Sequence, residues 1–467
     1  MTENSSPSTT TAQQMIPRHE LWQMVRDQLR ALINQQDYQG AKSLLLPVQA
    51  PDIAEAIGGL PDKLQAIAFR LLSKDEAAEV FEYLDSGVQQ ALLEEFKSQE
   101  ILELVEEMSP DDRARLFDEL PANVVQRLLT QISPQERRAT ALLLGYKPDT
   151  AGRIMTPEYV ALKEIWTVTE ALDRIRVMAR VSETIYTLYI TDPFRHLSGI
   201  LSLRDLVIAN PSTLISDIMT REVVSVHTDT DQEEVARVIQ RYDFLAVPVV
   251  DTEQRLVGIV TVDDVFDVVE RETTEDIYTL SGVESGGDGY FQSTIFTAAR
   301  KRVVWLFALL LASTFTSTII AAQEEVLAEV VALAAFIPLL TGTGGNVGAQ
   351  SSTVVIRSLS TNELQLSRAP WVITREVLTG IVLGMMLCLA SALWSFVLRR
   401  DLGVSIIVGI SSLLISVVAT FSGTALPFLF RSFKLDPALM SAPFITTAVD
   451  VLGISIYFWV ARWVLGM

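Results

Sequence analysis

Cysteine is almost absent from this chain. Cys388 stands alone in an apolar run, so no disulfide framework is available. Histidine is scarce too: His19, His196 and His227 all precede residue 300, which leaves the apolar last third without an imidazole. An intramembrane protease needs a Ser–His pair or two buried aspartates, and Asp450 is the only acid deep in a late apolar run. No P-loop, zinc-ligand spacing or nucleophile elbow occurs in the polar part, which argues against an enzyme. The N-terminal MTENSSPSTTTAQQ lacks the apolar core of a signal peptide, so the polar part is expected to stay in the cytoplasm. Positive charge is in deficit, with a formal net charge of −20. Such a balance argues against nucleic acid and for cations as ligands.

The deficit is uneven. Residues 300–467 hold 8 acids and 11 Lys or Arg, a charge of +3, which leaves 49 acids and 26 bases, a charge of −23, in residues 1–299. An acidic body precedes an apolar block, and 467 residues give room for about three domains.

Residues 1–16 are short, polar and rich in Ser and Thr, the composition of a disordered tail. From 17 to 150 the pattern is helical, with start signals at roughly 12-residue intervals. Among these, Pro110 and Pro134 fall at first helical positions, and Ser133 and Glu136 have capping-box spacing. Short helices at a fixed period predict a helical stack. Its acidic faces, Glu103, Glu106 and Glu107 and then Asp111 and Asp112, are either solvated surface or cation ligands.

An internal repeat occupies residues 151–266. Ile154-Met155-Thr156 restarts as Ile218-Met219-Thr220, and Leu197–Asp205 returns as Leu256–Asp264. Each copy reads as an extended segment, a helix (Val168–Met178; Gln232–Tyr242), two β-branched strands and a second helix. This pattern resembles a tandem pair of CBS domains. The resemblance places Ser202 and Asp205, and Thr261 with Asp264, where that family can hold the ribose of a nucleotide such as ATP. The same spacing opens a helix with no nucleotide present. Residues 267–299 read as an acidic connecting helix and linker, with Asp267, Glu270, Glu272, Glu275 and Asp276 ahead of a glycine-rich loop.

Residues 300–467 give five apolar spans: 303–322, 326–340, 377–398, 404–430 and 442–465. All but the second reach the ~20 residues a helix needs to cross a bilayer. The second is expected to be extended by the residues after Leu340. Basic residues divide eight to three in favour of inner flanks if the N-terminus is inside, and five spans then leave the C-terminus outside. Four glycines occur among residues 342–348, a composition expected of irregular backbone that packs in protein or lines a cavity. A carboxylate at membrane depth, Asp450, normally faces a watery path or a partner. Together the two features favour a pore lining over close helix packing.

The order of segments and the motifs resemble the MgtE family of magnesium channels. The matching stretches are Pro338–Gln350, Ser352–Ile356 with Arg357, Asp436-Pro437-Ala438-Leu439, and Thr446–Gly453 around Asp450. The resemblance implies a multidomain membrane protein: an all-α helical-repeat N domain, an α/β CBS pair, an acidic connecting (plug) helix and five transmembrane helices in a bacterial inner membrane. It implies a homodimer with Mg²⁺ passing between the two membrane blocks. Asp450 is the expected pore carboxylate, with Gly345, Asn346, Ala349, Leu439, Ala442 and Gly453 near the path. Ala349 and Ala442 depart from the amides usual in the family, so only backbone carbonyls are left to them. Expected sensor ligands for cytosolic Mg²⁺ are Glu79, Asp111, Asp243, Asp264, Asp267, Glu272, Glu275, Asp276 and Asp436. Arg115 stands where the family tends to have an acid. Without a cation, repulsion among these acids is expected to hold the N domain, the CBS pair and the connecting helices apart. An exchanger for Co²⁺ or Mn²⁺, or a membrane-anchored nucleotide sensor, remains open on sequence alone.

Overall fold

The computed structural model describes residues 18–95, 98–120, 122–284, 295–361, 363–433, 435 and 442–467. They fall into two compact units, Met1–Glu270 and Arg271–Met467.

The first unit opens, among the described residues, with α1 (Arg18–Asn34), α2 (Tyr38–Leu45), α3 (Ala50–Gly58), α4 (Asp62–Phe69), α5 (Lys74–Glu82), α6 (Ser86–Glu95), α7 (Ser98–Glu107), α8 (Pro110–Glu119), α9 (Ala122–Gln131) and α10 (Pro134–Leu144). The short period has a physical basis. Gln65, Gln89 and Arg113 recur every 24 positions, all buried, and each ties off backbone carbonyls of a preceding turn. Gln89 Nε2 donates to Phe81 O at 2.7 Å, and Arg113 Nε donates to Val105 O, also at 2.7 Å. A second relation repeats in the same register. Glu82 accepts the backbone N–H of Ser109, and Glu106 accepts that of Ser133. Both serines also cap the helix they open, α8 and α10, where a proline takes the first position. The capping box expected at Ser133 is only half formed, because the Glu136 carboxylate turns to Arg113 at 2.7 Å.

The repeat expected from Ile-Met-Thr builds two three-stranded sheets. The first copy contains α11 (Ala151–Ile154), β1 (Tyr159–Lys163), α12 (Val168–Met178), β2 (Thr184–Thr191), β3 (Leu197–Ser202) and α13 (Leu203–Ile208). The second contains α14 (Ile215–Ile218), β4 (Val226–His227), α15 (Gln232–Tyr242), β5 (Ala246–Val250), β6 (Leu256–Thr261) and α16 (Val262–Leu280). In each sheet the first strand runs parallel to the second, and the second antiparallel to the third. The copies exchange their leading motifs. Thr156 bridges to Ile259, and Thr220 bridges to Ile200. The glycines at 199 and 258 make room for this exchange. A Cβ at Gly258 would lie 2.6 Å from Met155 Sδ, and one at Gly199 would lie 2.8 Å from Met219 Sδ.

The second unit holds five helices long and apolar enough to cross a membrane, among the described residues. They are α17 (Ile295–Ala321), a span of 3-10 helix Val331–Phe336 running into α19 (Ile337–Ser360), α20 (Ala369–Arg399) preceded by a short 3-10 turn, α21 (Leu402–Ser432) and α22 (Ala442–Leu465); the short α18 (Glu324–Glu329) precedes the second span. The second span extends past Leu340 as expected, from Val331 to Ser360. One expectation is corrected here: its glycines lie inside continuous α-helix rather than irregular backbone. Pro338 sits in the first turn of α19, where its missing N–H costs nothing. The glycines then serve close packing. A Cβ at Gly344 would collide with Ile415, one at Gly345 would meet Thr446 at 2.6 Å, and one at Gly423 would collide with the carbonyl of Gly348. Helices α19 and α21 thus approach backbone to backbone, and α22 packs its side chains on the α19 glycines, around a core that includes Ile415, Ala419, Ile445 and Val449. Three hydroxyls buried in α21 are satisfied within the helix: Ser416, Thr420 and Thr424 each donate to the carbonyl four residues back, whereas Ser411 Oγ has no partner.

Candidate cation sites

In the first unit, acids from three parts of the chain converge. Asp111 and Asp112 open α8, Glu82 closes α5, Glu183 precedes β2, and Asp263 and Asp264 begin α16. Asp111 is 8% exposed, and its Oδ1 is buried with no hydrogen-bond partner. Burial first, then the charges of Asp112 and Glu183, push the Asp111 carboxyl up to about 7. Glu82 is pushed up to about 7 by burial and by Asp112. Glu183 is exposed, yet partial loss of water around its carboxyl, then repulsion from Asp264 and Asp263, bring it to about 7 as well. Asp264 is raised by burial and by Asp111, against the lowering effect of its bond from Thr261 Oγ1 at 2.6 Å. These shifts share one cause: carboxylates crowded together out of water cannot all ionise without a cation.

Arg115 is the cation already present. Its guanidinium pairs with Asp112 on its own helix and, at 3.0 Å, with Asp267 of α16. Burial works against its charge, but Asp112, Asp267, Asp264 and Asp111 raise its pKa overall. The donors that remain are hard oxygens with one open buried lone-pair site, a set that suits a hydrated Mg²⁺ held by one or two carboxylates. Among the described residues no group of three or more His, Cys, Asp and Glu closes into a metal cage.

The expected sensor residues are not all equivalent in this geometry. Asp111 and Asp264 lie in the cluster. Glu79 lies at its margin, where Tyr83 feels Glu79, Glu82, Asp263 and Asp112 together. Asp243 is exposed and caps α15 with a left-handed φ of 53°. Glu272, Glu275 and Asp276 lie on α16 beyond Glu270, in the second unit. Asp436 and Leu439 lie outside the described residues. Sequence reading passed over Glu82, Glu183 and Asp263. Glu82 was within reach, because it repeats the role of Glu106 at a 24-residue spacing. Glu183 had no sequence signal, since only the fold brings it to α8.

Ser202 accepts the N–H of Asp205 at 3.1 Å and donates to its carboxylate at 2.7 Å, so the pair caps α13. Thr261 makes the corresponding contact with Asp264.

In the second unit Asp450 lies midway along α22, with one carboxyl oxygen buried and without a hydrogen-bond partner. One turn earlier Thr446 packs on Gly345, and its hydroxyl donates to Ala442 O at 2.8 Å. Gly345 and Gly453 are buried, Ala349 and Ala442 half-buried, and Asn346 exposed. A Cβ at Gly453 would find ordinary contacts, 3.5 Å or more from Ile415, so this glycine leaves space rather than seating a neighbour.

The chain matches family models along most of its length. A model described as a divalent cation transporter covers residues 337–460, the MgtE intracellular N domain covers 48–149, and CBS domains cover 151–211 and 215–271. The magnesium transporter MgtE of Thermus thermophilus is 46% identical over 332 residues, 70% of this chain and 73% of that protein. The magnesium transporter MgtE of Bacillus subtilis is 37% identical over 420 residues, 90% of this chain and 93% of that one. The chain belongs to the MgtE family. Among solved structures, the cytosolic domain of the Mg²⁺ channel MgtE in complex with ATP is 40% identical, with a TM-score of 0.50, and covers 52% of this chain and 99% of its own. As an MgtE-family member the chain is a transporter and not an enzyme, with a helical N domain, a CBS pair and a membrane block.

Proposed function

We propose that this chain carries Mg²⁺ through a bacterial inner membrane as a homodimer, with Asp450 of each copy facing the path. The observation that carries this reading is the lone acid of α22, whose buried oxygen has no protein partner. It is supported by the names of the relatives at 46% and 37% identity. One carboxylate per copy is too little charge to strip a Mg²⁺ ion of its waters, and two copies about a two-fold axis can hold it hydrated. Gly345, Asn346, Ala349, Leu439, Ala442 and Gly453 line the same path in this reading. Residues 17–150, 151–266, 267–299 and 300–467 then form the helical domain, the CBS pair, the connecting segment and the pore-bearing block. The N-terminal domains are cytoplasmic and the C-terminus lies outside.

Cytosolic Mg²⁺ closes the path in this scheme. The acids of the first unit, with Glu272, Glu275, Asp276 and Asp436, bind the ion better in the closed state, so that state is favoured as its concentration rises. ATP at the CBS pair, held by Ser202, Asp205 and Thr261, modulates this equilibrium. The test is dye-reported Mg²⁺ flux into liposomes. Asp450→Asn keeps the shape and removes the charge. Its flux is expected to fall to the level of empty liposomes while the protein still elutes as the wild-type species. Undiminished flux in that variant would sink the pore assignment.

A further inference from the structure

We infer that α8 is clasped to the CBS pair by two arginines that do the work of resident cations, so that the helical domain stays docked without any metal ion. This inference rests on the gating reading above and changes what Mg²⁺ is needed for.

Three observations carry it. First, Arg115 of α8 reaches Asp267 of α16 at 3.0 Å while also holding Asp112. Second, at the other end of α8, Asp118 receives both arms of Arg153 from α11. Arg153 Nε donates to Asp118 Oδ2 at 2.9 Å, and Nη2 pairs with Oδ1. Arg153 also donates to Leu143 O at 3.0 Å, so one side chain joins α8, α10 and α11. Its guanidinium end is fixed by packing, with the side chain only 11% exposed. Third, the surface between the two clasps is apolar and shared. Ala114 of α8 and Leu143 of α10, both 0% exposed, belong to one core with Met155, Val226, Val235 and Val260 of the CBS repeats.

The charges run in opposite senses at the two clasps. At one, the helical domain supplies the cation and α16 the acid. At the other, the helical domain supplies the acid and the CBS pair the cation. Such a crossed arrangement fixes register as well as attraction, because sliding α8 sets like charges against each other. A half-exposed ion pair is weak by itself. The apolar core beneath is therefore the main adhesive; Arg115 offsets the repulsion among Asp111, Asp112 and Asp264, and Arg153 neutralises Asp118. Divalent ions then act on the carboxylates left over, chiefly Asp111 and Asp264, without being needed for docking.

The experiment is a distance measurement by paired spin labels on the full-length protein in nanodiscs. Labels go on Leu46→Cys in the helical domain and Val177→Cys in the CBS pair, both exposed, in a Cys388→Ala background. For the wild-type interface the distance distribution is expected to be single, narrow and the same in EDTA as in excess Mg²⁺. Arg115→Gln with Arg153→Gln is expected to broaden it and move it to longer distance in EDTA, and Mg²⁺ is expected to restore the short distance. Arg115→Gln alone, at a partly exposed side chain that folding tolerates, is expected to produce part of that broadening. A wild-type distribution that broadens in EDTA as far as the double variant overturns the inference. So does a double variant that stays narrow in EDTA. Flux on the same nanodisc preparations, reconstituted into liposomes, separates the two readings. Loss of Mg²⁺ inhibition in wild type with an unchanged distance would remove the gating scheme and leave the clasp standing.

Discussion

Carboxylates serve the two units in opposite company. Asp111 and Asp264 lie among Asp112, Glu183 and Glu82, beside an arginine, and burial first, then the charges of neighbouring acids, raises both. Asp450 shares α22 with no other charged residue before Arg462. Crowded acids bind a cation strongly because binding relieves their repulsion as well as adding attraction. In the proposed dimer Asp450 has only its own copy for company, so less repulsion is relieved and a hydrated ion is held weakly enough to leave. An ion path needs the second property, since conduction requires an ion to leave as readily as it enters. A detector of ion concentration needs the first.

The most damaging way to break the first region alone is at Arg113. Its guanidinium is 0% exposed and donates to Val105 O, Met108 O, Thr140 Oγ1 and the Glu136 carboxylate. Arg113→Ala orphans all of these, and removing one partner of a buried pair costs about 3–5 kcal/mol. We expect the helical domain to melt at lower denaturant in circular dichroism, with Mg²⁺ flux retained and its inhibition by Mg²⁺ lost. Flux that vanished with the helical domain would mean that the two regions are not separable.

The matching break in the second region is Gly423→Val. The new Cβ would press on a backbone carbonyl, that of Gly348, which cannot swing away. Overpacking of this kind costs about 1–3 kcal/mol. Flux is expected to fall sharply, while the distance between the helical domain and the CBS pair stays as in wild type. Full flux would show that α19 and α21 part easily.

These two positions also show what could be read from sequence and what could not. The strands and helices of the CBS pair were legible because β-branched runs and turn residues mark them locally. The helical stack was legible because caps recur at its period. The glycines near 345 misled. Four of them in seven positions have low helix propensity, and only the neighbouring α21 and α22, which fill the vacated space, make a helix the favoured state there. Asp450 could be singled out because an acid in an apolar run stands out without any fold. The acidic cluster could be read only in part. Asp111 stood out on an acidic helix face and again in the family resemblance, and Asp264 at the head of the acidic connecting helix. Glu183 and the arginine pairings depend on packing between segments far apart in sequence, for which no local pattern exists.

A subtler perturbation sharpens the contrast between crowded and lone acids. Glu82, Asp111 and Glu183 titrate at about 7, above the ordinary carboxylate range. Mg²⁺ needs the ionised form, so protons compete with it as pH falls through 7. Between pH 8 and pH 6 the Mg²⁺ concentration for half-inhibition of flux is expected to rise, by roughly tenfold for each carboxylate that must give up a proton. Stability runs the other way. Between the ordinary carboxylate value and 7 the folded state holds protons that the unfolded state has released. The first unit therefore loses stability as pH rises through that window, and the cost is fully present above it. Asp111→Asn is expected to flatten both dependences. A half-inhibition concentration that did not move between pH 8 and pH 6 would detach the cluster from sensing.

The smallest expected effect belongs to Ser202, where a cap and a ligand contact compete as explanations. Its hydroxyl receives the N–H of Asp205 and donates to the Asp205 carboxylate, which satisfies one orphan donor at the start of α13. Losing an N-cap of this kind costs about 1 kcal/mol. Ser202→Ala is therefore expected to lower the melting temperature of the first unit slightly without ATP, and by more with ATP, whose hold it also weakens. Ser202→Asp keeps a capping oxygen and is expected to restore the stability, yet it sets a fixed negative charge beside any bound ribose or phosphate. If the only role is capping, Ser202→Asp melts like wild type and ATP shifts the two proteins equally. If Ser202 also meets a nucleotide, ATP raises the melting temperature of wild type and leaves Ser202→Asp unmoved. Asp205 stays in place throughout, so the comparison isolates one hydroxyl on a helix whose acids take no part in the cluster around Asp111.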